Sequence, residues 1–300
     1  MNMELKYQNI VLRDMEERDI DDEIRWNTVQ TQWALWDAPW EMEEELSTFD
    51  PEAHRKKALE WIAKPKPDHR RSLEIDTWDG VHLGAVNCYC IDGDCNWLEA
   101  APATEEERQK ARWAVGLDIC DPAYWNGGWG AQALAAFLRC HLDGGYAQLY
   151  TQTWSGNVRM TALAEKLGFR ECRRKAGVRQ VRGGTYDGLT FRLDRAAFEA
   201  YCAQPGAAVC IRPAEDPEEK AAAAASVLAD LPDWFGLPDS TAQYVRVSRE
   251  LPFWLAVADG RPVGFAALKE TAPKTAEIYV MGVRPGLHRA GLGRRLFRAL

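Results

Sequence analysis

The chain has 300 residues, 27% of them charged, with a formal net charge of −8 at pH 7. That length suits two domains, and the negative balance argues against a nucleic-acid surface, which needs a basic face. No apolar run approaches the length of a membrane span and the start, Met1 to Lys6, has no signal-peptide core, so a cytoplasmic enzyme without a membrane partner is the expectation.

In chain order, Asn9 to Asp14 reads as an opening strand. Between Asp14 and Glu52 stand fourteen acids against two bases, Arg18 and Arg25, with Trp26, Trp33, Trp36 and Trp40 interleaved. Such a run is ordinarily a solvated helical face; it is also a wall suited to an aliphatic ammonium, and the tryptophans serve either as that wall or as core. Pro51 to Ile62 predicts a helix, and Ser72 to Ile91 a hairpin around Asp79 and Gly80. A strand pattern from Ala114 then runs into the turn Trp125-Asn126-Gly127-Gly128-Trp129-Gly130-Ala131. The apolar stripe Leu134, Phe137, Leu138 and Leu142 follows it, with helical spacing. Leu149 to Thr153 predicts a strand, Ser155 to Phe169 a turn and helix, and Val178 to Leu193 a hairpin turning at residues 182–185. Residues 203–208 are small and uncharged and read as a linker between 1–202 and 209–300.

The second stretch repeats the first. Val209 to Pro213 opens it, Asp216 caps an alanine-rich helix, and Phe253 to Ala258 pairs with Val263 to Leu268 around Asp259 and Gly260. A strand through Glu277, Met281, Gly282 and Val283 then enters the turn His288-Arg289-Ala290-Gly291-Leu292-Gly293, and Leu296, Phe297 and Leu300 begin a stripe. Helix N-termini carry N–H groups without intrahelical partners and partial positive charge, so glycine turns at these points receive phosphate oxygens. Neither turn has the third glycine of a dinucleotide fingerprint or the Gly-Lys-Ser/Thr of a phosphate loop. The eight cysteines include no Cys-x-x-Cys pair and none near a histidine at metal spacing, so reduced thiols and no metal are expected.

Both turns resemble the acetyl-CoA pyrophosphate signature of the GNAT (Gcn5-related) N-acetyltransferase superfamily, Gln/Arg-x-x-Gly-x-Gly/Ala after the family's fourth strand. Trp125 and His288 stand where that pattern has Gln or Arg, a departure some branches tolerate because backbone amides do most of the binding. The wording around Tyr124 to Gly130, and the ending Tyr186 to Leu193, make residues 1–202 most similar to the RimJ/RimL branch.

The resemblance implies an α/β GNAT fold, a mixed, mostly antiparallel central sheet flanked by helices, followed by a second GNAT-like module that stops after its acetyl-CoA turn. A half-built sheet would expose an edge and a poorly covered face, so this module is expected to belong to a longer chain. It implies acetyl-CoA as cosubstrate, with Asp118, Ile119, Cys120, the 125–131 turn and Asn157 around it in the first module. Met281, Gly282, Val283 and the 288–293 turn take those places in the second. The implied acceptor is a primary amine, a protein N-terminus or a small polyamine or aminoglycoside-like cation; homodimerisation is left open.

Acetyl transfer to an amine requires a neutral nucleophile, stabilisation of the developing oxyanion and a proton for the departing thiolate. Glu277 falls where several GNAT enzymes carry their general base. The matching position in the first module is Ala114, and the family's helix-borne tyrosine acid falls at Ala164. Ser155 and Tyr186 are the candidates that remain there, with plain alternatives as a helix cap and a packing residue. The competing class is a non-catalytic acetyl-CoA-binding or sensing module.

Overall fold

The computed structural model describes residues 3–99, 102–204, 209–258, 261–273 and 275–300. It divides into two compact units, Met1–Tyr201 and Cys202–Leu300. Residues 205–208 of the expected linker, and the Asp259-Gly260 turn, lie outside the described residues. No described helix is long and apolar enough to cross a membrane.

The first unit is built on strands β1 (Glu4–Tyr7), β2 (Ile10–Arg13), β3 (Ser72–Thr77), β4 (His82–Ile91), β5 (Arg112–Ile119), β6 (Leu149–Trp154), β7 (Phe169–Val181) and β8 (Gly184–Leu193). They form one eight-stranded sheet in the order β1-β2-β3-β4-β5-β6-β8-β7. Every neighbouring pair is antiparallel except β5 and β6. Among the described residues seven α-helices accompany it: α1 (Asp19–Thr28), α2 (Pro39–Ser47), α3 (Pro51–Ala63), α4 (Glu105–Lys110), α5 (Trp129–Asp143), α6 (Val158–Lys166) and α7 (Arg195–Cys202).

The apolar stripe of α5 forms as its spacing predicts: Leu134, Phe137, Leu138 and Leu142 are all buried. Gly130 lets the helix approach β5 closely, since a Cβ there would lie 3.1 Å from Leu117 and 3.8 Å from Ile119. Side chains alternate along a strand, so Leu117 and Ile119 face α5 while Asp118 faces the opposite side of the sheet. The acidic run is α1, a short 3-10 segment and α2, helices that the sparse apolar positions did not announce. Its two readings divide among the tryptophans. Trp26 is core, packed 4.7 Å from the His82 ring, whereas Trp33 and Trp36 line a cleft. Buried Arg13 ties β2 to α1 and β3, its guanidinium donating to Asp19 at 2.6 and 2.7 Å and to Asp76 at 2.7 Å.

The second unit contains β9 (Cys210–Pro213), β10 (Phe253–Ala258), β11 (Arg261–Ala272) and β12 (Thr275–Val283), an antiparallel sheet ordered β12-β11-β10-β9. Its helices are α8 (Pro217–Leu228), α9 (Pro238–Ser248) and α10 (Leu292–Ala299). Asp216 caps α8 as expected, accepting from the Glu218 amide at 3.0 Å. The expectation of a poorly covered face is corrected. Val227, Leu228 and Leu231 pack with Phe253, Leu255 and Phe265 in one cluster, and Leu292 and Leu296 pack with Ile211, Ala256 and Ala266 in another. Arg212 repeats the role of Arg13, binding Glu219 of α8 at 2.5 and 3.1 Å.

Candidate acetyl-transfer site

Strands β5 and β6 pair in parallel only at Trp113 with Leu149 and Ala114 with Tyr150. Past that point Thr151 Oγ1 donates to the Val115 carbonyl at 2.7 Å, and the strands then diverge. A cleft of about 370 Å³ fills the fork, with Gly116, Leu117, Asp118 and Ile119 on one side and Gln152 and Thr153 on the other. Its remaining walls are the α5 N-terminus, the inner residues of α6, and Trp33, Trp36 and Asp37 from the acidic segment.

The glycine turn delivers α5 to this cleft. Asn126 and Gly128 are left-handed, at φ 60° and 89°, a conformation that suits asparagine and glycine. The first intrahelical bond runs from Gln132 N to Gly128 O at 3.1 Å, so the amides of Trp129, Gly130 and Ala131 precede it and are available to an anion. The second turn has the same backbone at a constant offset of 163 residues. Arg289 and Gly291 have φ 62° and 80°, and Arg295 N bonds Gly291 O at 3.1 Å. Where the pattern has Gln or Arg, each chain segment uses a ring N–H to hold the turn onto the end of the preceding strand. Trp125 Nε1 donates to Ile119 O at 2.6 Å, and His288 Nε2 meets Val283 O at 2.7 Å.

Arg159 of α6 brings positive charge to the same end of the cleft, its guanidinium 4.5 Å from the Trp36 ring and 4.2 Å from the Trp125 ring. Asn157 is buried and caps α6, accepting from Met160 N at 3.0 Å while its Nδ2 donates to the Trp36 carbonyl at 2.7 Å. Trp154 Nε1 donates to that carbonyl as well, at 2.9 Å. Asn157 thus anchors the Trp36 segment over the cleft. Replacing it by alanine is expected to lower stability by about 1 to 3 kcal/mol, one cap plus one hydrogen bond, measured by denaturant unfolding.

On the face opposite α5 the cleft is acidic. Asp118, Ala85 and Glu74 stand in register across β5, β4 and β3, so the two carboxylates share one face with only a methyl between them. Burial first, then the nearby Asp37 carboxylate, pushes the Asp118 carboxyl well above its ordinary 3.8. Asp37 opens toward solvent, yet the surrounding protein, followed by Glu41 and Glu45 of α2, raises it too. Tyr89, in register with Ala114, donates to Gln152 Oε1 at 3.0 Å; burial, then Asp37, raises its phenol and keeps it protonated.

Among the cofactor residues expected in the first unit, Asp118, Ile119, Trp125, Asn126, Gly128, Trp129, Gly130, Ala131 and Asn157 line the cleft. Cys120 and Gly127 do not: Cys120 is buried with its N–H given to Leu83 O at 2.8 Å, and Gly127 lies under the Trp129 ring. Ser155 and Tyr186 are also outside it. Ser155 Oγ accepts from Asp187 N at 3.0 Å in the β6–β8 seam, and the Tyr186 ring packs edge-on to Trp154 at 4.9 Å. The helix cap is Asn157 rather than Ser155. Glu277 is exposed on edge strand β12, opposite Lys269 of β11. Asp37, Tyr89, Gln152 and Arg159 were not singled out from the sequence.

The chain is similar to solved structures that include an acetyltransferase of the GNAT family from Bacillus anthracis (13% identity, 64% of this chain and 98% of the other, TM-score 0.45). Others are RimL, the ribosomal L7/L12 alpha-N-protein acetyltransferase (14%, 63% and 97%, 0.47), and a spermidine N-acetyltransferase SpeG chimera from Vibrio cholerae and hSSAT (14%, 65% and 99%, 0.46). No curated protein matches the chain. A family model described as acetyltransferase (GNAT) domain matches residues 9–170, and one described as acetyltransferase (GNAT) family matches residues 220–300. With the first of these spanning over half its length, and the second falling on the repeated turn, the chain belongs to the GNAT acetyltransferases.

Proposed function

We propose that the first unit transfers an acetyl group from acetyl-CoA to a primary amine that is cationic in solution, a protein N-terminus or a small polyamine or aminoglycoside-like molecule. The observation that carries this reading is the pairing of Asp118 with Asp37 on one side of a cleft whose other side is a helix N-terminus.

The residues fit acetyl-CoA: available amides at the start of α5, no Cβ at Gly128 or Gly130, and a fork between β5 and β6 whose facing backbone beyond Ala114 and Tyr150 is free of ladder pairing. When bound, it supplies an activated acyl carbon and a thiolate leaving group. The amides of Trp129, Gly130 and Ala131, with Arg159, hold the phosphates. Arg159→Ala is expected to weaken acetyl-CoA binding by about 10- to 100-fold, the value of a hydrogen bond to a charged group, in a calorimetric titration. Asp37 and Asp118 receive the ammonium, and the Asp118 carboxylate, its proton affinity raised by burial and by Asp37, takes the ammonium proton so that the amine attacks as a neutral nucleophile. Tyr89 remains a phenol that orients Gln152 beside the reacting groups.

In the second unit the amides of Leu292, Gly293 and Arg294 stand as a proposed second acetyl-CoA seat, with Glu277 as its base by spacing from the turn.

The test is release of free CoA thiol by the full chain with a panel of peptide N-termini, polyamines and aminoglycosides, against neutral hydroxylamine-type controls. Turnover that favours the cations, with an acid limb of kcat/KM above the ordinary carboxylate range, supports the proposal. Acetyl-CoA binding without turnover on any amine would replace it by the non-catalytic binding module.

A further inference from the structure

We propose that His69, Cys88 and His141 of the first unit form a binding site for a divalent metal ion of the zinc class, at the end of α5 remote from the glycine turn. The three residues come from the segment before β3, from β4 and from the last turns of α5. They lie 19 and 53 residues apart in sequence, so inspection of cysteine spacing could not join them.

Their ligand atoms converge. His69 Nε2 is 3.0 Å from His141 Nε2, Cys88 Sγ is 3.5 Å from the same nitrogen, and all three atoms fall within 4.8 Å of one another. Tetrahedral zinc, with bonds of about 2.0–2.1 Å to nitrogen and 2.3 Å to sulfur, sets ligand pairs roughly 3.3 and 3.6 Å apart. The two pairs that include His141 therefore need shifts of only a few tenths of an ångström to accept an ion, and His69 Nε2 and Cys88 Sγ, within 4.8 Å of each other, must close by at most roughly 1.2 Å.

Hydrogen bonding within the cluster does not account for it as well. His141 Nδ1 lies 2.9 Å from the Phe137 carbonyl, which fixes that nitrogen as the donor and leaves one lone pair on Nε2. Two groups, the His69 nitrogen and the Cys88 sulfur, approach that single lone pair. A metal ion takes one pair from each of the three. The His69 ring is held for this by stacking on Tyr146 at 4.1 Å and by the edge of Trp113 at 4.6 Å.

A second cavity, of about 560 Å³ and lined in part by Asp68, His69, Glu105, Cys140, His141 and Tyr146, gives a route from solvent and room for a fourth ligand. On binding, the metal–sulfur bond replaces the Cys88 S–H bond and one proton leaves to solvent. Because the unfolded chain lacks the site, the ion stabilises the fold, tying the C-terminal end of α5 to β4.

The experiment is a Co²⁺ titration of the chelator-treated full chain, followed by Zn²⁺. The expected result is one Co²⁺ per chain with a near-ultraviolet thiolate charge-transfer band and tetrahedral visible bands, bleached by Zn²⁺, and a Tm that rises with zinc. Cys88→Ser should remove the charge-transfer band. His69→Gln, at a half-buried position that leaves the core intact, should weaken Co²⁺ affinity by at least about a hundredfold, the upper end of what losing a supporting partner costs. Absence of the charge-transfer band in the parent chain, or unchanged affinity in His69→Gln, would overturn the site, including if Cys88→Ser does not fold. Both readouts are independent of acetyl transfer.

Discussion

Asp118→Asn is expected to lower kcat by about 10² to 10⁴, the usual contribution of a positioned general base, while leaving acetyl-CoA affinity unchanged. The same substitution should raise Tm at neutral pH. The direction follows from the raised carboxyl: between its ordinary value of 3.8 and its folded value, the folded chain binds more protons than the unfolded chain. Stability contributed by this group is therefore present at low pH and is lost as pH rises through the folded value. At pH 7 the wild type holds an acid where a charge is disfavoured, and asparagine relieves that strain at nearly constant volume. Measured together, kcat, the acid limb of the pH profile and thermal unfolding separate the roles. A variant that keeps the parent kcat would remove Asp118 from the proton path. One that loses both kcat and Tm would make it a structural residue. Asp37→Asn serves as the companion, and should move the acid limb part of the way downward, because burial, the larger cause of the raised Asp118 carboxyl, remains while the added like charge of Asp37 is gone.

The second large effect is expected at Gly130. Gly130→Asp places a carboxylate at the first turn of α5, against the phosphates, and like-charge juxtaposition of several kcal/mol corresponds to acetyl-CoA binding at least about a hundredfold weaker. Because even a Cβ meets Leu117 at 3.1 Å, part of any loss could come from packing. Gly130→Ala carries that steric change alone and should keep most of the affinity. An unchanged Kd in Gly130→Asp, measured calorimetrically with Tm as the control for folding, would reject the seat.

What was legible in the sequence was local. A strand, a turn needing left-handed residues and a helix with a single apolar stripe are written in consecutive residues, and both copies formed with the same backbone. The hairpin at residues 182–185 is of the same kind, with Arg182 and Gly183 at positive φ. The acidic segment was not, because α1 and α2 bury few side chains: Ile20 and Trp26 carry most of what α1 contributes to the core, and none of the α2 side chains is fully buried. The stripe after the second turn is narrower than its spacing predicts: Leu296 is buried but Phe297 is largely exposed. The site's proton chemistry was hidden for a different reason. Asp118 reads from its position as a residue lining the cofactor; its partner, Asp37, is 81 residues away, and only the sheet fork brings them into one cleft. Strand alternation, which turns Ala114 and Asp118 to one face and Leu117 and Ile119 to the other, was the available signal.

The fork itself has a thermodynamic consequence. Beyond Thr151 the facing edges of β5 and β6 give up their ladder, so among the described residues the sheet is left unfinished in its middle rather than at its rim. A ligand that lies between them acts as a missing strand and joins the two halves of the sheet into one cooperative block. Occupancy should accordingly be visible far from the cleft, as slower amide exchange in β6, β8 and β7, whose ladder to the rest of the sheet, among the described residues, is the short pairing of Trp113 and Ala114 with Leu149 and Tyr150.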